Sequence, residues 1–175
     1  MFDGKSYIYL QNEPNIFKKV SIPSSPNIAC GIEAFFFPIN SKRGLKCYNS
    51  RVNANNAFKR QQKAFINQIG PKVLSKKVFK IIFPVNFDSI IKRNIDKSYF
   101  LDFFKYNSIG YGYFTEIVQT FKRDRGFTNK EYHELSVKIN DVFPRLNLED
   151  DLHFGNLGRI KGKLVCIDFG DCSAF

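Results

Sequence analysis

Residues 151–170 read DLHFGNLGRIKGKLVCIDFG. Asp151 and Asn156 stand five residues apart, and Asp168 follows the apolar run Leu164–Ile167. Asp, Gly and Asn are the residues turns are made of, so the loop by itself reads as a connection. The second carboxylate changes that reading. An apolar strand ending in Asp168, seventeen residues after Asp151, implies a hairpin that turns at Lys161-Gly162-Lys163 and returns Asp168 to the neighbourhood of Asn156. A carboxylate beside an amide oxygen is a hard-oxygen site that Mg2+ accepts, with phosphates and water completing its octahedron. Asp151 is then left to orient a hydroxyl.

The chain upstream alternates between two periods. Extended character begins at 15–27 (NIFKKVSIPSSPN), continues in 31–40 (GIEAFFFPIN) and, after the turn SKRG, in 44–50 (GLKCYNS). Phe, Val, Ile and Tyr bounded by Pro, Gly, Ser and Asn are strand-and-turn vocabulary. In 51–69, Ala54, Ala57, Phe58, Phe65 and Ile69 recur at helical spacing and Gly70-Pro71 stops the run. Residues 72–83 read as a strand, 87–107 as a helix or an extended insertion, 110–121 as a strand and 129–143 as a helix. An α+β domain follows, with an antiparallel sheet, one packed helix and a smaller helical part.

Composition sets limits. The 175 residues are 43% hydrophobic with 20 Phe, enough for a core, and no run of about 18 apolar residues calls for a membrane span. The N-terminus lacks the basic-then-apolar pattern of a secretory signal. Cys30, Cys47, Cys166 and Cys172 show no metal-ligand spacing and are expected as reduced thiols of a cytoplasmic protein. The net charge of +11 is spread over FKRQQK, LSKKVFK, IIKRN, FKRDR and GRIKGK. It suits a nucleotide or an acidic partner, and sequence-specific nucleic-acid binding is not expected.

Asp151-Leu-His-Phe-Gly-Asn156 with Ile167-Asp168-Phe169-Gly170 resembles the catalytic loop and metal-binding triplet of the protein-kinase superfamily. The DLHxGN wording is similar to aminoglycoside phosphotransferases and atypical kinases. The resemblance implies Asp151 as catalytic base and Asn156 and Asp168 as magnesium ligands. It also implies Lys46, in the strand GLKCY, on the α- and β-phosphates of ATP. The following helix carries Arg60-Gln61-Gln62 where the family has its lysine-holding Glu, so Gln61 takes that place. Thr115-Glu116-Ile117-Val118 resembles the hinge, with the Glu116 carbonyl and Val118 amide on adenine. Gly31 stands in the segment that would cover the phosphates. His153 is read as a loop-packing residue and His133 as solvated.

The implied architecture is a minimal kinase-like fold: an N-lobe over 1–118 and a strongly truncated C-lobe over 119–175. Only Asp171–Phe175 follow the triplet, as in minimal atypical kinases of bacteriophages and of effectors that bacteria inject into host cells. The resemblance implies an ATP- and Mg2+-dependent protein Ser/Thr kinase acting in the cytoplasm, of the host cell if it is such an effector. Its substrate would be recognised by tertiary docking, a host heat-shock chaperone being one candidate. The alternatives are a pseudokinase that serves as a binding module and a small-molecule phosphotransferase.

Overall fold

The computed structural model describes residues 6–14, 16–22, 29–30, 34–84, 87, 108–121, 126–144 and 152–168. The fold is α+β. Six strands of four or more residues, β1 (Ser6–Glu13), β2 (Ile16–Ile22), β4 (Ala34–Pro38), β5 (Arg43–Tyr48), β6 (Phe79–Ile82) and β7 (Ile109–Glu116), form one sheet with the two-residue β3 (Ala29–Cys30). Their order is β2-β1-β6-β7-β5-β4-β3, and the registered pairs run antiparallel. Two helices, α1 (Arg51–Ile66) and α2 (Asn129–Val142), a 3-10 turn (Phe154–Asn156) and a hairpin of β8 (Leu157–Ile160) and β9 (Lys163–Cys166) complete the described elements. No described helix is long and apolar enough to cross a membrane.

The chain divides into two compact units. The first comprises the described residues of Met1–Asn55 and Leu74–Thr115, the second those of Asn56–Val73 and Glu116–Phe175. In the first, successive strand residues point to opposite faces. Ile8, Leu10, Val20, Ile22, Phe35, Phe37, Leu45, Cys47, Phe79 and Ile81 therefore collect on one face as a core. Phe87, the one described residue of the 87–107 stretch, closes that core with its ring 4.8 Å from Phe83. Ser50 caps α1, its Oγ accepting from the Val52 and Asn53 amides.

Two differences from the sequence expectation have local causes. Strand β1 was not expected, because Tyr7-Ile8-Tyr9-Leu10 is a continuous apolar run that hides the alternation. With this strand and the two-residue β3 added ahead of it, the strand of Lys46 is the fifth and not the third of the extended stretches. The expected strand 72–83 is broken. Leu74 donates to Phe114 in backbone pairing, but Ser75 Oγ then accepts the Phe114 amide at 2.7 Å in place of a backbone carbonyl, and regular pairing resumes only at Phe79.

Strand β7 lies beside β5 with almost no room between them. A Cβ on Gly112 would stand 2.1 Å from the Lys46 carbonyl oxygen. Gly112→Ala should therefore destabilise the protein by roughly 1–3 kcal/mol, the usual cost of forcing extra volume into a packed contact. Urea unfolding of the variant beside the parent measures it.

In the second unit, α1 ends in a Schellman motif. Gln68 adopts φ 60, the Ile69 amide donates to Ala64 and the Gln68 amide to Phe65. The helix thus stops before the expected 69. Phe65, expected on the apolar stripe, is 43% exposed, and the buried stripe is Ala54, Ala57, Phe58, Gln61 and Ala64. Helix α2 starts on a capping box between Thr128 and Glu131. Its Leu135 and Ile139 pack with Ala64, Ile69, Leu152, Leu157, Leu164 and Cys166 in a second core. A left-handed residue other than glycine carries strain of about 1 kcal/mol. Gln68→Gly should raise stability by about that amount, read as a shift of the urea midpoint.

Candidate active site

The hairpin forms as expected around a two-residue turn in which Lys161 and Gly162 both have positive φ, 50 and 83. That turn matches the twist of the flanking strands and fixes the register. Leu157 pairs with Cys166, and Ile160 with Lys163. One step beyond the ladder the Ile167 amide donates to the Asn156 carbonyl at 2.9 Å. Asn156 and Ile167-Asp168 thereby meet at the open end of the hairpin, both Asn156 and Asp168 half-buried. A carboxamide oxygen and a carboxylate are a donor set that fits Mg2+ and suits softer metals poorly.

The loop before β8 has its own order. Residues Phe154–Asn156 form a single 3-10 turn, and His153 caps it, its Nδ1 accepting the Gly155 amide at 3.1 Å. His153 is a loop residue, and His133 on α2 is exposed. On the other strand the Cys166 thiol donates to the Asp168 carbonyl at 3.0 Å. Cys47 and Cys166 are both buried, and burial pushes the Cys47 thiol far up.

The segment read as the hinge leads to this hairpin. Strand β7 ends where the Glu116 amide donates to the Lys72 carbonyl, while the Glu116 carboxylate accepts from the Lys72 amide. Two residues on, Val118 lies against β8. A Cβ on Gly158 would stand 2.4 Å from Val118 Cγ1 and 2.9 Å from the Gln119 carbonyl oxygen. Thr120 then bridges to Gly158 in antiparallel fashion. The chain leaves one ladder at Glu116 and joins another at Thr120, which ends the expected strand 110–121 early.

In the first unit, Leu45 and Cys47 enter the core and leave Lys46 and Tyr48 on the opposite face of the sheet. Tyr48 stacks on Tyr113 with centroids 6.2 Å apart, and Thr115 follows two residues later on that face. Among the described residues the buried polar or charged side chains are Lys46 (9%), Gln61 (0%) and Thr115 (1%). Gln61 belongs to the second unit, where its Nε2 donates to the Pro71 carbonyl. Gly31 and Asp151 lie outside the described residues. Sequence reasoning missed the His153 cap, the Cys166 thiol bond and the Gly158–Val118 contact. Each is a side-chain or close-approach feature with no periodicity to reveal it.

The chain matches no protein-family model, no curated protein and no solved structure.

One charged group holds the outer end of the hairpin. Arg159 donates to the Gly126 carbonyl (2.8 Å) and the Gly162 carbonyl (2.6 Å), and pairs with Glu131 at 2.8 Å. The Arg159 guanidinium, with the Thr128 amide, holds the Glu131 carboxyl well down, to about 2 from an ordinary 4.5. The folded state therefore binds this proton less readily than the unfolded chain. The resulting stability is complete above about pH 4.5 and is lost as pH falls toward about 2. A Glu131→Gln variant should be less stable than the parent at neutral pH, and the gap should close across that window. Urea midpoints of the two proteins at stepped pH test it.

Proposed function

We propose that the chain is an ATP- and Mg2+-dependent phosphotransferase, and specifically an atypical protein Ser/Thr kinase whose substrate is chosen by tertiary docking. The observation that carries the reading is the hairpin that unites Asn156 with Ile167-Asp168, a juxtaposition the loop motif requires. Supporting it, Lys46 is a buried lysine on the strand beside β7, and β7 runs into Glu116 and Val118. A buried ammonium is costly to desolvate and is well matched by phosphate.

In this reading Lys46 holds the α- and β-phosphates, while the Glu116 carbonyl and Val118 amide meet adenine. Asn156 and Asp168 hold Mg2+, which when bound neutralises charge on the phosphates. Asp151 orients the acceptor hydroxyl and takes its proton as the new O–P bond forms. The bond from the γ-phosphorus to the bridging oxygen breaks, and ADP leaves with that electron pair. Catalysis of this kind is positioning and charge neutralisation, which a small scaffold supplies.

A second reading has its own observation. Helix α1 carries no acid, and Gln61 stands fully buried in the Glu position with its amide donating to Pro71. That favours a pseudokinase, a nucleotide-dependent binding module. Transfer of labelled γ-phosphate from ATP into lysate proteins separates the two. Wild-type protein should label a discrete band or itself. Asp151→Ala should lower the rate by roughly 10²–10⁴-fold while sparing nucleotide binding, and Asp168→Ala should abolish Mg2+-dependent binding. Equal labelling by wild type and Asp151→Ala would overturn the assignment of the base. ATP binding without transfer would assign the binding module.

A further inference from the structure

We infer that His153 and Cys166 are positioning residues for the two proposed magnesium ligands, an inference that rests on the phosphotransferase reading above. Neither residue carries an oxygen that would reach the metal. Each instead makes one side-chain bond to the backbone next to a ligand. His153 Nδ1 accepts the amide of Gly155, the residue immediately before Asn156. Cys166 Sγ donates to the carbonyl of Asp168 itself.

The two bonds lie on opposite arms at the open end of the hairpin, one before β8 and one after β9, flanking the bond from Ile167 to Asn156. A single 3-10 turn of three residues has little stability of its own, so the cap on Gly155 sets where the Asn156 carboxamide starts from. Asp168 lies two residues beyond the last ladder pair, Leu157–Cys166. The thiol bond spans those two residues and carries the order of the ladder to the carboxylate. Cys166 is buried among Leu157, Leu164, Leu135 and Ile139, so its sulfur is fixed by packing and transmits that rigidity. Groups that orient metal ligands through such bonds ordinarily matter about 10–100-fold in metal affinity.

The test is calorimetric ATP binding to the full chain at stepped Mg2+, with thermal melting of every variant. His153→Ala and Cys166→Ala should each raise the Mg2+ needed for half-maximal binding about tenfold. His153→Asn keeps an oxygen acceptor at a cap position, and Cys166→Ser keeps a donor for the same carbonyl. Both should restore most of the loss. Protection of the Gly155 amide from hydrogen exchange should fall in His153→Ala and return in His153→Asn. Alanine variants with wild-type Mg2+ dependence would overturn the inference, as would Asn and Ser variants that fall as far as the alanines. Should an alanine variant fail to fold, its conservative partner decides alone. Wild-type Mg2+ dependence in Asp168→Ala, or no ATP binding by the parent, would instead overturn the phosphotransferase reading.

Discussion

The register of β8 against β9 is the constraint on which the second unit depends. Side chains alternate across the hairpin, so Leu157, Leu164 and Cys166 enter the core with α2 on one face. Gly158, on the other face, receives Val118 and Gln119. A slip of one residue would exchange the faces, exposing the leucines and driving a side chain into the Val118 segment. The two-residue turn at Lys161 and Gly162 forbids that slip. Arg159 reinforces it by tying the strand to Gly126, Gly162 and Glu131 at once. The same register sets Asn156 opposite Ile167, so the fold constraint and the proposed chemistry are one arrangement.

The first unit shows a related economy. Its sheet buries one face as an apolar core, and Lys46 sits on the other, in the strand that β7 approaches through a glycine. The close approach at Gly112 brings the backbone of β7 against the backbone of β5 without side chains between them. Stacking of Tyr48 on Tyr113 then holds these two strands together on the face that carries Lys46 and Thr115. Polar groups are buried sparingly in such a chain because each must recover its lost hydration. Lys46 and Thr115 share that face of the sheet, and Gln61 lies on the helix that follows the lysine strand.

Much of this was legible in the sequence, where period and turn chemistry agree. GLKCY alternates cleanly, NKEYHELSVKINDVF keeps one apolar side, and Lys-Gly between apolar runs turns a hairpin. What was not legible were the places where side chains replace backbone partners. Ser75 interrupts a strand by accepting the Phe114 amide. Gln68 ends a helix in a conformation usually reserved for glycine. Phe65 shares helical spacing with Phe58 yet turns to solvent, since periodicity gives a face and not the width of what covers it. The site was legible to the extent that it is local. DLHFGN and IDFG are joined by a hairpin whose length follows from the residues between them, whereas the cap on Gly155 and the thiol bond to Asp168 depend on rotamers that no spacing encodes.

The proposed ligands sit on a loop and at a strand end, places where backbone order is ordinarily weakest. A site there gains affinity by being ordered before the ligand arrives, because ordering during binding subtracts from it. The molecule supplies that order with few residues. One backbone bond joins the two ligand segments, a histidine caps the turn on one side, and a buried thiol holds the carbonyl on the other. None of these bonds is strong by itself, and a net contribution of about 1 kcal/mol each is typical. Their effect comes from acting on adjacent peptide units, where each bond removes freedom that the others would have to oppose. In the proposed reading, two hard oxygens so ordered would anchor a metal that keeps most of its coordination for phosphate and water.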